Sequence, residues 1–321
     1  MGIKISSTGS SLGSLEIYNN EISRNTGVSE EEILLKTGIV KRNYLDPRTE
    51  TLLTLSSTAA KRAIAKVNVT NFDLVVAATY GHDYVYPSLA SRICKDLDLS
   101  ASLAIDVQSN CTGFVNSLLI ANDKLIADES AFNALVIASE ANSLFMDPTD
   151  LNTVLFWGDG SGAITLSKSD SETGGLIARA HSGNFKNNDA VRLDWELGAD
   201  AGTRVTKPIH QDGLATWRQA TSGLPLVIQK VLRNAGLEMT EIDFFVFHQA
   251  NLRMLEYLTA KLKIDPAKVP INVDRIGNMG AASIPILLDE LVSTGALEKG
   301  CKILFASVGA GFTFSSLIWE W

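Results

Sequence analysis

One thiol sets the first chemical question of this sequence. Cys111 stands in the stretch Asp106-Val-Gln-Ser-Asn-Cys-Thr-Gly-Phe114. Leu103, Ile105 and Val107 alternate as strand residues do, Ser109 and Asn110 are helix N-cap types, and Phe114, Val115, Leu118 and Leu119 recur at helical spacing. This pattern places Cys111 on a sharp strand-to-helix turn, in the first turn of the helix. There the positive end of the helix dipole favours a thiolate, the form of cysteine that attacks carbon. A cysteine that only packs in a core is the competing reading, and Gly113, two residues on, weighs toward the nucleophile.

A nucleophile needs partners, and two segments offer them. His248 closes the strand pattern Ile242–Phe247 in Phe-His-Gln-Ala-Asn-Leu-Arg253, and Asn278 stands in Asp274-Arg-Ile-Gly-Asn-Met-Gly-Ala-Ala-Ser283. Ligands in open α/β sheets gather outside the carboxyl ends of strands, and these residues, which follow strands or lie at the start of helices, are expected to converge there. Each has a purely structural alternative: a histidine after a strand can be a core residue, and an Asn before Met-Gly can be a turn residue. His82, His181 and His210 lack a comparable setting. Ser307-Val-Gly-Ala-Gly-Phe-Thr-Phe314 is a Gly-rich turn whose backbone N–H groups can approach a ligand closely.

The elements that must position these residues recur along the chain. Ala59, Ala60, Ala63, Ile64 and Val67 form a helical stripe ahead of the strand Phe72–Ala78; Val227, Ile228, Val231 and Leu232 form another, stopped by Gly236 ahead of Ile242–Phe247. Asp73 and Asp243 are 170 residues apart, Leu135 and Ile303 are 168, and Cys111 and Asn278 are 167. A shared offset near 168 predicts two copies of one α/β unit, residues 1–168 with the cysteine and 169–321 with the histidine and asparagine. Short apolar runs such as Leu74–Ala78 predict a mostly parallel sheet covered on both faces. Residues 184–217 are polar, show no sustained period, and read as a loop over the substrate.

Composition excludes several classes of function. The chain has 321 residues, 45% hydrophobic and 20% charged, with a net charge of −8. That balance suits a sizeable core and opposes nucleic acid or an anionic membrane as main partner. No run approaches a bilayer-spanning length, and Met-Gly-Ile-Lys-Ile-Ser-Ser has no secretory pattern, so a cytoplasmic location is expected. Cys94, Cys111 and Cys301 are far apart and odd in number, which suits a reduced compartment and offers neither a disulfide framework nor metal-ligand spacing.

Taken together, Asn-Cys-Thr-Gly-Phe114, Phe-His-Gln-Ala-Asn-Leu-Arg253 and Gly-Asn-Met-Gly-Ala-Ala-Ser283 resemble the Cys, His and Asn motifs of the β-ketoacyl-acyl-carrier-protein synthase III family. Lys36-Thr-Gly-Ile39, Asp147-Pro-Thr-Asp150 and Trp157-Gly-Asp-Gly-Ser-Gly-Ala163 extend the resemblance along the whole chain. It implies a thiolase-like five-layer αβαβα fold of two pseudo-repeated halves, a homodimer, and an acyltransferase that condenses thioesters. On this resemblance Cys111 takes an acyl group from an acyl-carrier-protein or coenzyme A thioester, with the N–H groups of Cys111 and Ala310 holding the oxyanion. His248 and Asn278 hold the enolate of a decarboxylating malonyl-type extender, giving a 3-ketoacyl product for fatty-acid initiation or specialised metabolism. Tyr86 matches the residue a partner subunit inserts beside the acyl pocket, and Arg253 the carrier-docking arginine; the thioesters are substrates, and no cofactor is implied.

The chain also departs from the family pattern. Val40 replaces an arginine and Glu32 an aromatic residue where relatives hold the adenine end of coenzyme A, which favours a carrier-bound primer. Gly309-Ala310-Gly311 replaces three glycines, and Met279-Gly280 replaces small hydroxyl residues beside the asparagine. Two other functions fit the same fold. Acyl transfer from Cys111 to an alcohol or amine needs His248 as base but no enolate hole, so Asn278 favours condensation; a non-catalytic partner subunit is opposed by Cys111 and His248.

Overall fold

A computed structural model of the chain describes residues 2–67, 69–81, 83–169, 174–197 and 204–321. His82 and residues 198–203 of the expected loop lie outside them. The first sheet contains β1 (Gly2–Leu12), β2 (Leu74–Ala78), β3 (Ala104–Val107), β4 (Asn133–Ala141) and β5 (Asp159–Ser169), in the order β1-β5-β4-β2-β3. The second contains β6 (Gly175–Gly183), β7 (Phe244–Phe247), β8 (Lys302–Gly309) and β9 (Thr313–Glu320), in the order β6-β9-β8-β7.

Helices cover both sheets and fill the space between them. Helix α1 (Leu52–Ile64) packs on the outer face of the first sheet. Helices α2 (Gly113–Ala127) and α5 (Ser283–Ser293) lie between the sheets, and α3 (Gly213–Ala235) with α4 (Leu252–Leu262) covers the outer face of the second. The chain therefore forms the five αβαβα layers of a thiolase-like fold. The strands read as unbroken apolar runs because both faces are covered. Val75, Ala77, Leu135 and Ile137 meet α1, while Val76, Ala78, Val136 and Ala138 meet the middle layer.

The repeat is visible in hydrogen bonds. The Asp73 N–H donates to the Asn133 carbonyl at 2.8 Å, and its Oδ2 accepts the Asn133 N–H at 2.9 Å. The Asp243 N–H donates to the Lys302 carbonyl at 2.9 Å, and its Oδ2 accepts the Lys302 N–H at 2.8 Å. Each aspartate thus opens its half's first parallel pairing in the same way.

Several expectations need correction. The sheets are mixed, since β4–β5, β1–β5, β8–β9 and β6–β9 all run antiparallel. Only residues 310–312 separate β8 from β9, too few for a parallel crossover. Helix α1 stops at Ile64, short of Val67. The 184–217 segment is less irregular than expected: Val191–Arg192 pairs with His210–Gln211, Trp195–Leu197 pairs with Arg204–Thr206, and α3 already begins at Gly213 under an Asp212 cap. Strands of two or three residues are too short to show a period. Among the described residues, no helix is long and apolar enough to cross a membrane.

The middle layer packs on β5 only because glycines let it. A Cβ on Gly162 would lie 2.7 Å from Pro285 Cβ and 2.8 Å from the Ile286 N of α5. Gly162→Ala should therefore cost about 1–3 kcal/mol of stability through overpacking, seen as a lower urea midpoint at unchanged slope. An unchanged midpoint would mean that α5 yields without loss.

Candidate active site

The turn that carries Cys111 is built from permissive and tethering residues. Asn110 sits at φ +47°, a left-handed conformation that Asn tolerates better than most residues. Asn110–Thr112 form one 3-10 turn that runs into α2, so Cys111 lies just ahead of the α-helix rather than in its first turn. The turn is fastened to the second half of the chain. Asn110 Nδ2 donates to the Ala310 carbonyl at 3.0 Å, Ser307 Oγ donates to the Cys111 carbonyl at 2.6 Å, and the Thr112 and Thr313 hydroxyls meet at 3.2 Å. Gly309 permits this closeness, since a Cβ there would stand 3.1 Å from the Ser109 carbonyl oxygen and 3.3 Å from the Cys111 N.

His248 follows β7, and its N–H extends the pairing with β8 by donating to the Ala306 carbonyl at 2.9 Å. Asn278 is held on both sides of its peptide: its N–H donates to Phe156 at 2.8 Å, and its carbonyl accepts the Gly158 N–H at 2.9 Å. Its Oδ1 accepts the Gly280 N–H at 2.9 Å, which assigns the amide and leaves Nδ2 as the donor for the site. The register differs from the expected one. The matching 3-10 turns are Asn110–Thr112 and Gly280–Ala282, so Cys111 corresponds to Ala281, and Asn278 precedes its turn.

Cys111, His248, Asn278, Gly309 and Ala310 line one cavity of about 820 Å³. Tyr80, Phe145, Trp157, Trp217 and Phe312 give it aromatic walls, while Lys36, Arg192 and Asn251 add polar groups. Val191–Leu193, Ile209 and Gln211 bring the former loop segment into the lining. Tyr86 and Arg253 stay apart from this cavity. Tyr86 is 84% exposed, although its neighbours Tyr84 and Val85 line the wall. Arg253 holds the end of the short helix Glu30–Thr37: its Nε donates to the Leu35 carbonyl at 3.0 Å and its Nη2 to Leu34 at 3.1 Å, while Nη1 pairs with Glu256. His181 meets Ser315 on β9, and His210 is exposed.

Burial governs the electrostatics. It pushes the Cys111 thiol up to about 12, with the Glu140 carboxyl adding to the rise. The expected thiolate is therefore not preformed, because loss of water outweighs the dipole of the helix start. Burial lowers His248 from 6.5 to about 4, with the Gly280 backbone pulling the other way, so its imidazole is neutral at pH 7. A neutral thiol, a neutral imidazole and an amide donor can pass a proton and hold a developing oxyanion. Sequence reasoning missed Tyr80 and Glu140, both at carboxyl ends of strands. A carboxylate ending the apolar run Ala-Leu-Val-Ile-Ala-Ser-Glu140 was the available signal.

Comparison with known proteins gives a consistent picture. Residues 105–184 match the family model described as 3-oxoacyl-[acyl-carrier-protein (ACP)] synthase III, and residues 232–321 match the one for its C-terminal part. A β-ketoacyl-[acyl-carrier-protein] synthase III of Haemophilus influenzae is 33% identical over 99% of each chain. The crystal structure of 3-oxoacyl-[acyl-carrier-protein] synthase III from Aquifex aeolicus superposes with a TM-score of 0.90 at 29% identity, covering 100% of both chains. The priming β-ketosynthase of the R1128 polyketide pathway gives 0.91 at 26% identity, over 99% of this chain and 96% of the other.

The depressed His248 has a consequence for stability. Between pH 6.5 and about 4 the unfolded chain binds the histidine proton and the folded chain does not. Stability is thus full above pH 6.5 and falls toward pH 4, by on the order of 3 kcal/mol from this group. His248→Asn should flatten that acid slope in urea midpoints followed from neutral pH downward. Parallel slopes for both proteins would contradict the burial argument.

Proposed function

The chain belongs to the 3-oxoacyl-[acyl-carrier-protein] synthase III family, and from that membership we propose how its own residues carry the reaction. It is an acyl-thioester condensing enzyme, an acyltransferase that joins an acyl group to a malonyl-type extender. The observation that carries the assignment of roles is the meeting of Cys111, His248, Asn278 and the Gly309–Ala310 turn in one cavity.

In the first stage Cys111 sulfur bonds to the carbonyl carbon of an acyl thioester. Its proton passes to neutral His248 and leaves with the donor thiol. The N–H groups of Cys111 and Ala310 stabilise the oxyanion between these events. In the second stage the bond from the malonyl carbon to its carboxylate breaks, and carbon dioxide leaves. The electron pair enters the thioester as an enolate, whose oxygen accepts N–H bonds from His248 and Asn278 Nδ2. A neutral His248 suits this role, because it donates without first taking a proton from carbon. The enolate carbon then attacks acyl-Cys111, and the sulfur leaves as a thiolate that takes up a proton from solvent, giving the 3-ketoacyl product and the resting thiol.

The finer reading extends to partners. The two units, residues 1–168 and 169–321, form one catalytic half-site each, and two chains form a homodimer in which the exposed Tyr86 reaches the neighbour's acyl pocket. Glu32 pairs with Lys36 at 2.7 Å, and Lys36 lines the cavity, so Glu32 brings a carboxylate near the approach of the phosphorylated adenosine end of coenzyme A. This favours an acyl carrier protein as primer donor over coenzyme A, with Arg253 at the docking face and no further cofactor. The setting proposed is the cytoplasm.

Incubation with acyl thioesters should give a covalent adduct by intact mass, lost in Cys111→Ala and kept in Cys94→Ala and Cys301→Ala. An adduct surviving Cys111→Ala would sink the nucleophile. Asn278→Ala and His248→Ala should slow carbon dioxide release from a malonyl thioester by about 10²-fold, as for a lost oxyanion donor. Transfer to an alcohol or amine without carbon dioxide release would replace condensation by simple acyl transfer.

A further inference from the structure

A carboxyl group that the mechanism does not use lies buried behind Asn278. Glu140 ends the apolar part of β4, is fully buried and does not line the cavity. Its Oε2 accepts from Thr79 Oγ1 at 3.2 Å and from the Tyr80 N–H at 3.4 Å, while Oε1 has no hydrogen-bond partner among the described residues. The peptides of Gly81 and Ala281 also turn favourable charge toward it. A Cβ on Gly280 would lie 2.9 Å from Glu140 Cγ and 2.6 Å from the Tyr80 hydroxyl.

Gly280 is the residue whose N–H fixes the Asn278 amide and whose backbone faces His248. The Tyr80 hydroxyl donates to Asn142 Oδ1 at 2.6 Å, and Asn142 Nδ2 donates to the Gly158 carbonyl at 2.6 Å. Gly158 in turn bonds the Asn278 carbonyl. Two lines of contact therefore run from the Thr79–Gly81 turn to Asn278, one through Glu140 and one through Tyr80 and Asn142.

We propose that Glu140 is a positioning residue for decarboxylation: its carboxyl joins the Thr79–Gly81 and Gly280–Ala281 turns, so that Asn278 and His248 keep their donors on one enolate oxygen. The idea rests on the enolate roles given above for those two residues. Burial drives the carboxyl well above its ordinary range, which favours the neutral acid. A neutral acid fits the task, since a charged carboxylate would oppose both the Cys111 thiolate and the enolate. Glutamine can take the same place, whereas leucine fills the space without accepting the peptide N–H groups.

The test separates the two stages in the full-length protein. Carbon dioxide release from a malonyl thioester is compared with Cys111 acylation by a small acyl thioester, with melting temperature as the check on folding. Glu140→Leu should lower decarboxylation by about 10²-fold and leave acylation within about threefold, the penalty of a displaced group. Glu140→Gln should stay within about threefold of the parent in both stages. No loss in Glu140→Leu, or equal loss in both stages, would overturn the proposal as a packing effect. So would a Glu140→Gln as poor as Glu140→Leu, which would make the acid proton itself the requirement. If Glu140→Leu does not fold, Thr79→Val must show the same split at about 10-fold, and its absence overturns the proposal. A parent protein that releases no carbon dioxide would instead remove the enolate roles, and this inference with them.

Discussion

The architecture depends on one approach of backbone to backbone, where the Gly309 end of β8 passes the Cys111 turn. No side chain fits there, for a Cβ would press on the Ser109 carbonyl and the peptides of Cys111 and Thr112. Around this contact Ser307, Asn110 and Thr112 tie the turn across to the second sheet. Cys111 is thus carried by one sheet and held by the other. Gly113 extends the requirement, since a Cβ on it would meet Ala78 Cβ at 2.9 Å and Ala281 Cβ at 3.3 Å. The starts of α2 and α5 can meet in the middle layer only at residues this small.

Around that closure the ionisable groups are drawn away from bulk water, and this sets their charge states. Thiol, imidazole and carboxyl all sit far from their ordinary values in the direction of neutrality. Charge in such a site exists only while a bond is changing, when fixed N–H groups meet it. Arg42, on the far side of Gly277, keeps a permanent charge by pairing it with fixed acceptors. It is buried, and its guanidinium donates to Asn19 Oδ1 and to the Leu155 carbonyl at 2.8 and 2.7 Å, bracing the segment on which Asn278 pairs.

The sequence showed most of this where a residue type has few possible uses. Cys111 and His248 were legible because each stands just after a strand, Asn278 because it lies in a Gly-bearing turn, and the paired aspartates Asp73 and Asp243 marked the repeat. Sheet direction was not legible, because apolar runs record burial on two faces and say nothing of polarity. The ionisation of Cys111 was misread for a physical reason: the helix-start argument counts the dipole and omits the lost water. Glu140 and Tyr80 escaped notice because their roles lie in what they brace, which depends on neighbours 140 or more and 60 or more residues away. Arg253 reads in sequence as a carrier-docking arginine, while its carbonyl partners come from a helix more than 200 residues earlier.

The matched turns Asn110–Thr112 and Gly280–Ala282 place a cysteine and an alanine at corresponding positions. Two identical, unlinked copies of such a unit would be bound to present the same side chain twice. Joined in one chain, the two turns can carry different side chains, and here one presents the sulfur while the other packs beside Gly113. The two turns thus share a backbone shape and differ in the side chain they present. Alanine at position 281, 3.3 Å from where a Gly113 Cβ would stand, leaves the sulfur of Cys111 without a twin across the middle layer.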